Sequence, residues 1–152
     1  MSEVKKRIQA DLAQAMKARE ETRTATLRML LSAIIYEETS GEQHELSEAE
    51  FLAVVAREIK KRRESAEVYR SNNRDDLADQ EEAEAEILGQ YQPEQLTDKE
   101  VEQLVAEVVA TECGDSYSMK DMGKVMRSAQ EKAAGRVDGK RLSAAVKAAL
   151  QA

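Results

Sequence analysis

Apolar side chains return every three or four residues along almost the whole chain, and a single proline, Pro93, breaks the pattern. That spacing gathers hydrophobic groups on one side of a helix that turns once in about 3.6 residues. The chain is rich in Ala, Glu, Leu, Lys, Arg and Gln and has only six glycines. Those abundant residues lose least on entering a helix, whereas strands favour more Val, Ile, Thr and aromatic residues. The expected fold is therefore all-α. A chain of 152 residues can bury roughly 65% of its unfolded surface, enough for one ordinary domain or two small ones.

The spacing predicts a first helix over about 3–18, with Val4, Ile8, Leu12 and Met16 inward, and a second over about 22–38, with Leu27, Leu30, Leu31, Ile34 and Ile35 inward. A connection follows through Gly41. Ser47 and Glu50 then form a capping-box pair, and Leu46 and Phe51 occupy the two staple positions, so a long helix is expected. Its stripe runs through Leu52, Val55, Ile59, Ala66 and Tyr69 but crosses the basic run Lys60-Lys61-Arg62-Arg63. Arg62 falls on the apolar seam and is the member of that run expected to have a specific role. Asn72 and Asn73 mark a turn, and residues 75–90 carry seven acidic and no basic side chains. The expectation is a helical hairpin in which the acidic helix lies beside the basic run and forms exposed ion pairs with it, each worth little.

Pro93 closes this first part, since proline removes a backbone donor and disfavours helical geometry at Gln92. The organisation expected is a helical N-terminal domain over 1–92, containing the long-helix hairpin, and a three-helix domain over 93–152. The second domain opens with Leu96, Thr97, Glu100 and Val101, which repeat the staple and capping box. Val101, Leu104, Val105, Val108 and Val109 make an amphipathic helix ending near Gly114. Ser118 and Asp121 can cap the next, whose apolar face is Met122, Val125, Met126, Ala129 and Ala133. Asp138 stands at the N-cap of a last helix with Leu142, Val146, Ala149 and Leu150 inward.

Several chemistries are poorly served. His44 is the only imidazole and Cys113 the only thiol, whereas a structural zinc takes four ligands, so no metal is expected. One cysteine cannot form an intrachain disulfide. Neither G-x-G-x-x-G nor G-x-x-x-x-G-K-[ST] occurs, and the five aromatics are scattered, which argues against a phosphate loop and a base-stacking platform. The acidic cluster over 75–90 reads as a solvated surface rather than a catalytic pair. No catalytic residue and no cofactor is expected. No segment approaches the roughly 20 apolar residues of a membrane span, and the start of the chain lacks an unbroken apolar run. No membrane association and a cytoplasmic location are the expectation.

Charge is distributed unevenly. The net is −7 overall, which disfavours indiscriminate coating of nucleic acid and gives no reason to expect DNA specificity. From Ser116 onward, however, eight basic residues face three acidic ones, a net of +5, leaving −12 on the first 115. Lys120, Lys124 and Arg127 fall on one helical face, Lys132 follows, and Arg136, Lys140 and Arg141 surround the next turn. Such a patch can hold RNA phosphates by charge and shape without reading sequence. Gly123 sits among these residues at a cost of about 1 kcal/mol relative to alanine in a helix interior. Close packing of another helix is the favoured explanation, with close approach of an RNA backbone the alternative.

Those residues also carry a resemblance. The segment Lys120-Asp121-Met122-Gly123-Lys124-Val125-Met126, followed by Gly135-Arg136-Val137-Asp138-Gly139, Leu142 and Val146, resembles the signature of YqeY-like proteins. Arg57-Glu58-Ile59-Lys60, Ser65, Tyr69, Asn73-Arg74-Asp75-Asp76-Leu77 and Tyr91-Gln92-Pro93 are similar to the family's long-helix region. Residues from about 95 to 152 also resemble the tail domain of the GatB subunit of tRNA-dependent amidotransferases. The departures are Gln92 where leucine is frequent, and Arg127-Ser128 where a glycine is frequent. The resemblance implies an all-α fold with a small three-helix tail. In GatB that tail is an accessory module engaging tRNA, and the amidation chemistry lies in a separate catalytic domain to which residues 1–92 bear no likeness.

The expected function is therefore that of a tRNA- or RNA-associated accessory protein, non-catalytic by itself, with Lys120, Lys124, Arg127, Lys132, Arg136, Lys140 and Arg141 facing phosphates. The expected partners are tRNA or another structured RNA and components of the amidotransferase or translation machinery. Two alternatives stand beside it. One is participation in glutamine-dependent amidation of aminoacyl-tRNA, a carbon-nitrogen ligase activity with glutamine as amido donor. The other is a protein-interaction adaptor using the long helix or the acidic helix.

Overall fold

A computed structural model describes residues 3–152. It contains seven α-helices and no strand among the described residues: α1 Glu3–Lys17, α2 Glu21–Thr39, α3 Glu48–Ser71, α4 Asp75–Gly89, α5 Asp98–Cys113, α6 Met122–Ala133 and α7 Gly139–Gln151. They form two compact units, Met1–Gln92 and Pro93–Ala152.

In the first unit, α3 and α4 make the most extensive pairing, a hairpin turned at Asn73 with φ +58°, while α2 packs on α1 and α4 and touches α3 more sparsely. Ile8, Leu27, Leu30, Ile34, Phe51, Val54, Val55, Ile59 and Leu88 share one core. Two residues expected to point inward are instead exposed, Met16 by 50% and Ile35 by 48%. Ala15 and Thr26 are buried on α1 and α2 instead. Thr26 is tolerated there because its hydroxyl donates to the Thr22 carbonyl at 2.8 Å.

The start of α3 differs from the expected capping box. Ser47 Oγ accepts from the Glu50 amide at 3.2 Å, and the Glu50 carboxylate is shared, with Oε1 3.2 Å from Ser47 Oγ and Oε2 2.6 Å from His44 Nε2. The Glu50 side-chain hydrogen bond holds the His44 pKa above its ordinary value of 6.5, and the hydrogen bond with the Glu42 carbonyl adds to it. A raised folded-state value means that this contribution to stability is complete below the unfolded pKa and disappears as pH rises through the folded one. The single imidazole is therefore expected to titrate by NMR above pH 6.5, and Glu50→Gln to bring its midpoint back toward about 6.5. An unchanged midpoint in Glu50→Gln excludes this cause.

The ion pairs of the hairpin also depart from expectation. Lys60 and Lys61 pair within their own helix, with Glu64 at 4.0 Å and Glu58 at 3.3 Å. The acidic helix is served by Arg70, which reaches Asp79 at 2.9 Å and Glu82 at 2.8 Å, and by Arg74, which reaches Asp76. The pairs form near the turn because the basic run is distributed around α3, where Lys60, Lys61 and Arg63 are exposed while Arg62 is only 6% exposed. Arg62 Nη1 donates to the Glu58 carbonyl at 3.1 Å and lies 3.9 Å from the Glu58 carboxylate.

In the second unit, Thr97 and Glu100 complete a reciprocal capping box on α5. Val101, Val105, Val108, Val125, Ala129, Leu142, Val146 and Leu150 form a separate core. Ser118 and Asp121 cap a 3-10 turn, Met119–Asp121, that leads into α6, and Asp138 caps α7 by accepting from the Arg141 amide at 2.7 Å.

Candidate nucleic-acid interface

The seven basic residues proposed from sequence all lie in the second unit, on the turn before α6, on α6, and around the start of α7. The structure gives them different tasks. Arg136 Nε donates to the Glu94 carbonyl at 2.8 Å, and Arg141 Nη2 donates to the Leu96 carbonyl at 2.8 Å and to Asp98 at 2.9 Å. With the Leu96 amide bound to the Arg136 carbonyl at 2.8 Å, these bonds tie the segment before α5 to the turn between α6 and α7. Arg136 and Arg141 thus hold the unit together. Lys124 is shared, its Nζ lying 3.6 Å from Asp121.

Lys120, Arg127, Lys132 and Lys140 are exposed and make no ion pair among the described residues. Lys120 belongs to the 3-10 turn rather than to α6, and beside it Tyr117 and Met119 are 39% and 43% exposed. Tyr117 gains interest only from its position beside Lys120, which its scattered place among the aromatics of the sequence does not announce. Across the unit, α5 and its flanks expose Glu94, Asp98, Glu100, Glu102, Glu107, Glu112 and Asp115. Backbone and hydroxyl hydrogen bonds from Thr97 keep the Glu100 carboxyl below its ordinary range, so that side stays anionic at neutral pH. Among the described residues Lys99 on α5 and Lys147 on α7 are likewise exposed and without an ion pair, and the field of such exposed charges reaches about 8–10 Å at physiological salt.

Gly123 corrects another expectation. It is exposed in the first turn of α6, and nothing lies within 4 Å of where its Cβ would be. No neighbouring helix of this chain calls for a glycine there, so close helix packing is not its reason.

A family described as Yqey-like protein matches residues 5–150. Among individual relatives, the Altered inheritance of mitochondria protein 41, mitochondrial, of Lachancea thermotolerans is 36% identical over 84 residues, 55% of this chain and 45% of that protein. The protein of the same name from Vanderwaltozyma polyspora is 32% identical over the same length, with the same coverage. The one from Pyrenophora tritici-repentis is 28% identical over 130 residues, 84% of this chain and 71% of that protein. The chain spans about half the length of the first two relatives. Their names overturn the cytoplasmic location expected from sequence. A helix-forming composition rich in charged residues suits any aqueous compartment and so carries no address.

Proposed function

Because the chain belongs to the family of Yqey-like proteins, we propose that it is an RNA-associated accessory protein whose second unit contacts the phosphate backbone of tRNA or a similarly structured RNA without performing chemistry on it. The observation that carries this reading is the set Lys120, Arg127, Lys132 and Lys140, exposed and without ion pairs among the described residues, in the stretch from Ser116 onward that carries a net charge of +5. Side chains already paired inside a protein are poor phosphate ligands, because each must give up a carboxylate or carbonyl first. These four have nothing to give up.

Binding of labelled tRNA by the whole chain, followed by fluorescence anisotropy against salt, tests the reading. Four phosphate contacts give a slope of log affinity against log salt of about −3 to −4, so affinity falls roughly 100-fold between about 50 and 200 mM salt. Binding that ignores salt, or no binding at low salt, sinks it.

Gly123 supplies a second, independent check. Gly123→Ala is expected to leave the unit intact or stabilise it by up to about 1 kcal/mol, as the helix propensities require. If an RNA backbone approaches at this position, the same variant binds tRNA several-fold more weakly. Unchanged affinity removes Gly123 from the contact surface.

A further inference from the structure

Helix α2 has a largely uncovered face, on which Ala33 packs at the edge of the core, the Met29 sulfur accepts from Arg62 Nη2 at 3.5 Å and Arg28 Nη2 reaches the Met16 sulfur at 3.8 Å. Leu27, Leu30 and Ile34 point inward, while Arg28, Met29, Ser32, Ala33, Tyr36 and Glu37 line a shallow groove beside α3. Met29 is 50% and Tyr36 68% exposed. Methionine and tyrosine are enriched where proteins meet other proteins, and two such side chains flanking small residues on one helical face form a surface of that kind.

The order of these six residues identifies the occupant. Opposite charges, Arg28 and Glu37, stand at the two ends. The two large exposed side chains, Met29 and Tyr36, come next, and the small Ser32 and Ala33 lie at the centre. A helix with this arrangement is complementary to its own copy laid antiparallel. A two-fold axis passing between Ser32 and Ala33 brings Arg28 to the partner's Glu37, Met29 to the partner's Tyr36, and Ser32 to the partner's Ala33. A two-fold interface uses one patch on both copies, so each match occurs twice. The small central pair lets the helix axes approach closely. A methionine sulfur beside an aromatic ring is a favourable contact. Glu37 is already oriented, since Arg57 Nη2 binds its Oε1 at 2.8 Å and its second oxygen is available to an incoming guanidinium.

We propose that the α2 face is a homodimer interface, in which two copies of this chain cross antiparallel at Ser32 and Ala33 with reciprocal Arg28–Glu37 ion pairs at the ends. The inference does not depend on the RNA reading and its test contains no RNA. Sedimentation equilibrium across micromolar to millimolar protein is expected to show the mass rising from that of one chain toward that of two. Arg28→Glu places like charges together at both ends and is expected to weaken dimerisation at least tenfold, and the double variant Arg28→Glu/Glu37→Arg to recover it. In a Cys113→Ser background, Ser32→Cys lies at the crossing and is expected to give a covalent dimer on oxidation, whereas Ser40→Cys, two helical turns away from it, does not. Circular dichroism confirms that each variant is folded. A chain that stays monomeric throughout overturns the interface. So does a dimer indifferent to Arg28→Glu, a double variant no better than the single one, or the absence of the Ser32→Cys cross-link.

Discussion

Lys120→Glu, Arg127→Glu and Lys140→Glu combined are expected to lower tRNA affinity about 100-fold or more at low salt, and to reduce the salt slope by about three, because three of the four proposed phosphate contacts are replaced by repulsion. The positions are chosen so that the fold survives the change. All three side chains are exposed, and none makes an ion pair among the described residues. Lys120 immediately precedes α6 and Lys140 lies in the first turn of α7, where a carboxylate is favoured over an ammonium by the positive end of the helix. The contrasting pair is Arg136→Gln and Arg141→Gln. Each removes hydrogen bonds to carbonyls of the segment before α5 and is expected to cost about 1–2 kcal/mol of stability in the second unit. The salt slope of binding by the folded protein should be unchanged. If the glutamate triple binds as well as the parent, or if the two glutamine variants alter the slope and not the stability, the division of the basic set into ligands and fasteners is wrong.

The second large effect is in the first unit. Arg62→Ala is expected to destabilise the chain by about 3 kcal/mol, since removing one member of a buried ion pair leaves the other uncompensated. Arg62 is 6% and Glu58 7% exposed. Glu58 Oε2 and Arg62 Nε have no hydrogen-bond partner among the described residues. Lys61, 3.3 Å from Glu58, would keep some compensation and hold the loss toward the lower end. The pair itself contributes little net stability, because desolvating two charges offsets most of their attraction. The double variant Glu58→Leu/Arg62→Met is therefore expected to be as stable as the parent or about 1 kcal/mol more stable. Urea denaturation of the whole chain decides between them. A double variant as unstable as Arg62→Ala would mean that the side chains matter for their shape and not for their charge.

The two outcomes bear on how a buried arginine and a set of exposed lysines are read. Arg62 attracts notice in the sequence because it falls on an apolar seam, and the structure buries it there. Arg136 and Arg141 attract notice because they accompany other basic residues, and that company is misleading. Their partners lie in the segment Glu94–Asp98, with Glu94 42 residues from Arg136 and Leu96 45 from Arg141. No local pattern announces a bond to a main-chain carbonyl at that distance. The Lys120, Lys124 and Arg127 grouping was legible as a helical face, although its first member sits on a 3-10 turn and its second is shared with Asp121. The Arg28 to Glu37 face escaped notice for the opposite reason. A self-complementary order of charge, bulk and small residues acquires meaning only once that side of α2 is seen to be largely uncovered.

Local patterns in the chain were enough for the helical class, for the helix limits to within a residue or two except at the start of α6, and for most of the inward faces. Those signals act within a turn or two of helix: apolar spacing, a serine or threonine accepting from an amide three residues on, a proline that cannot continue. Which polar group meets which was set by the packing of distant segments. It shared the Glu50 carboxylate between Ser47 and His44, served the acidic helix from Arg70 and Arg74 rather than from the basic run, exposed Met16 and Ile35, and left Gly123 without a neighbour. The difference is one of range. Helix formation is settled among residues a few positions apart, whereas a charged side chain on a long flexible stem takes whichever partner the packing of distant segments brings within about 3–4 Å.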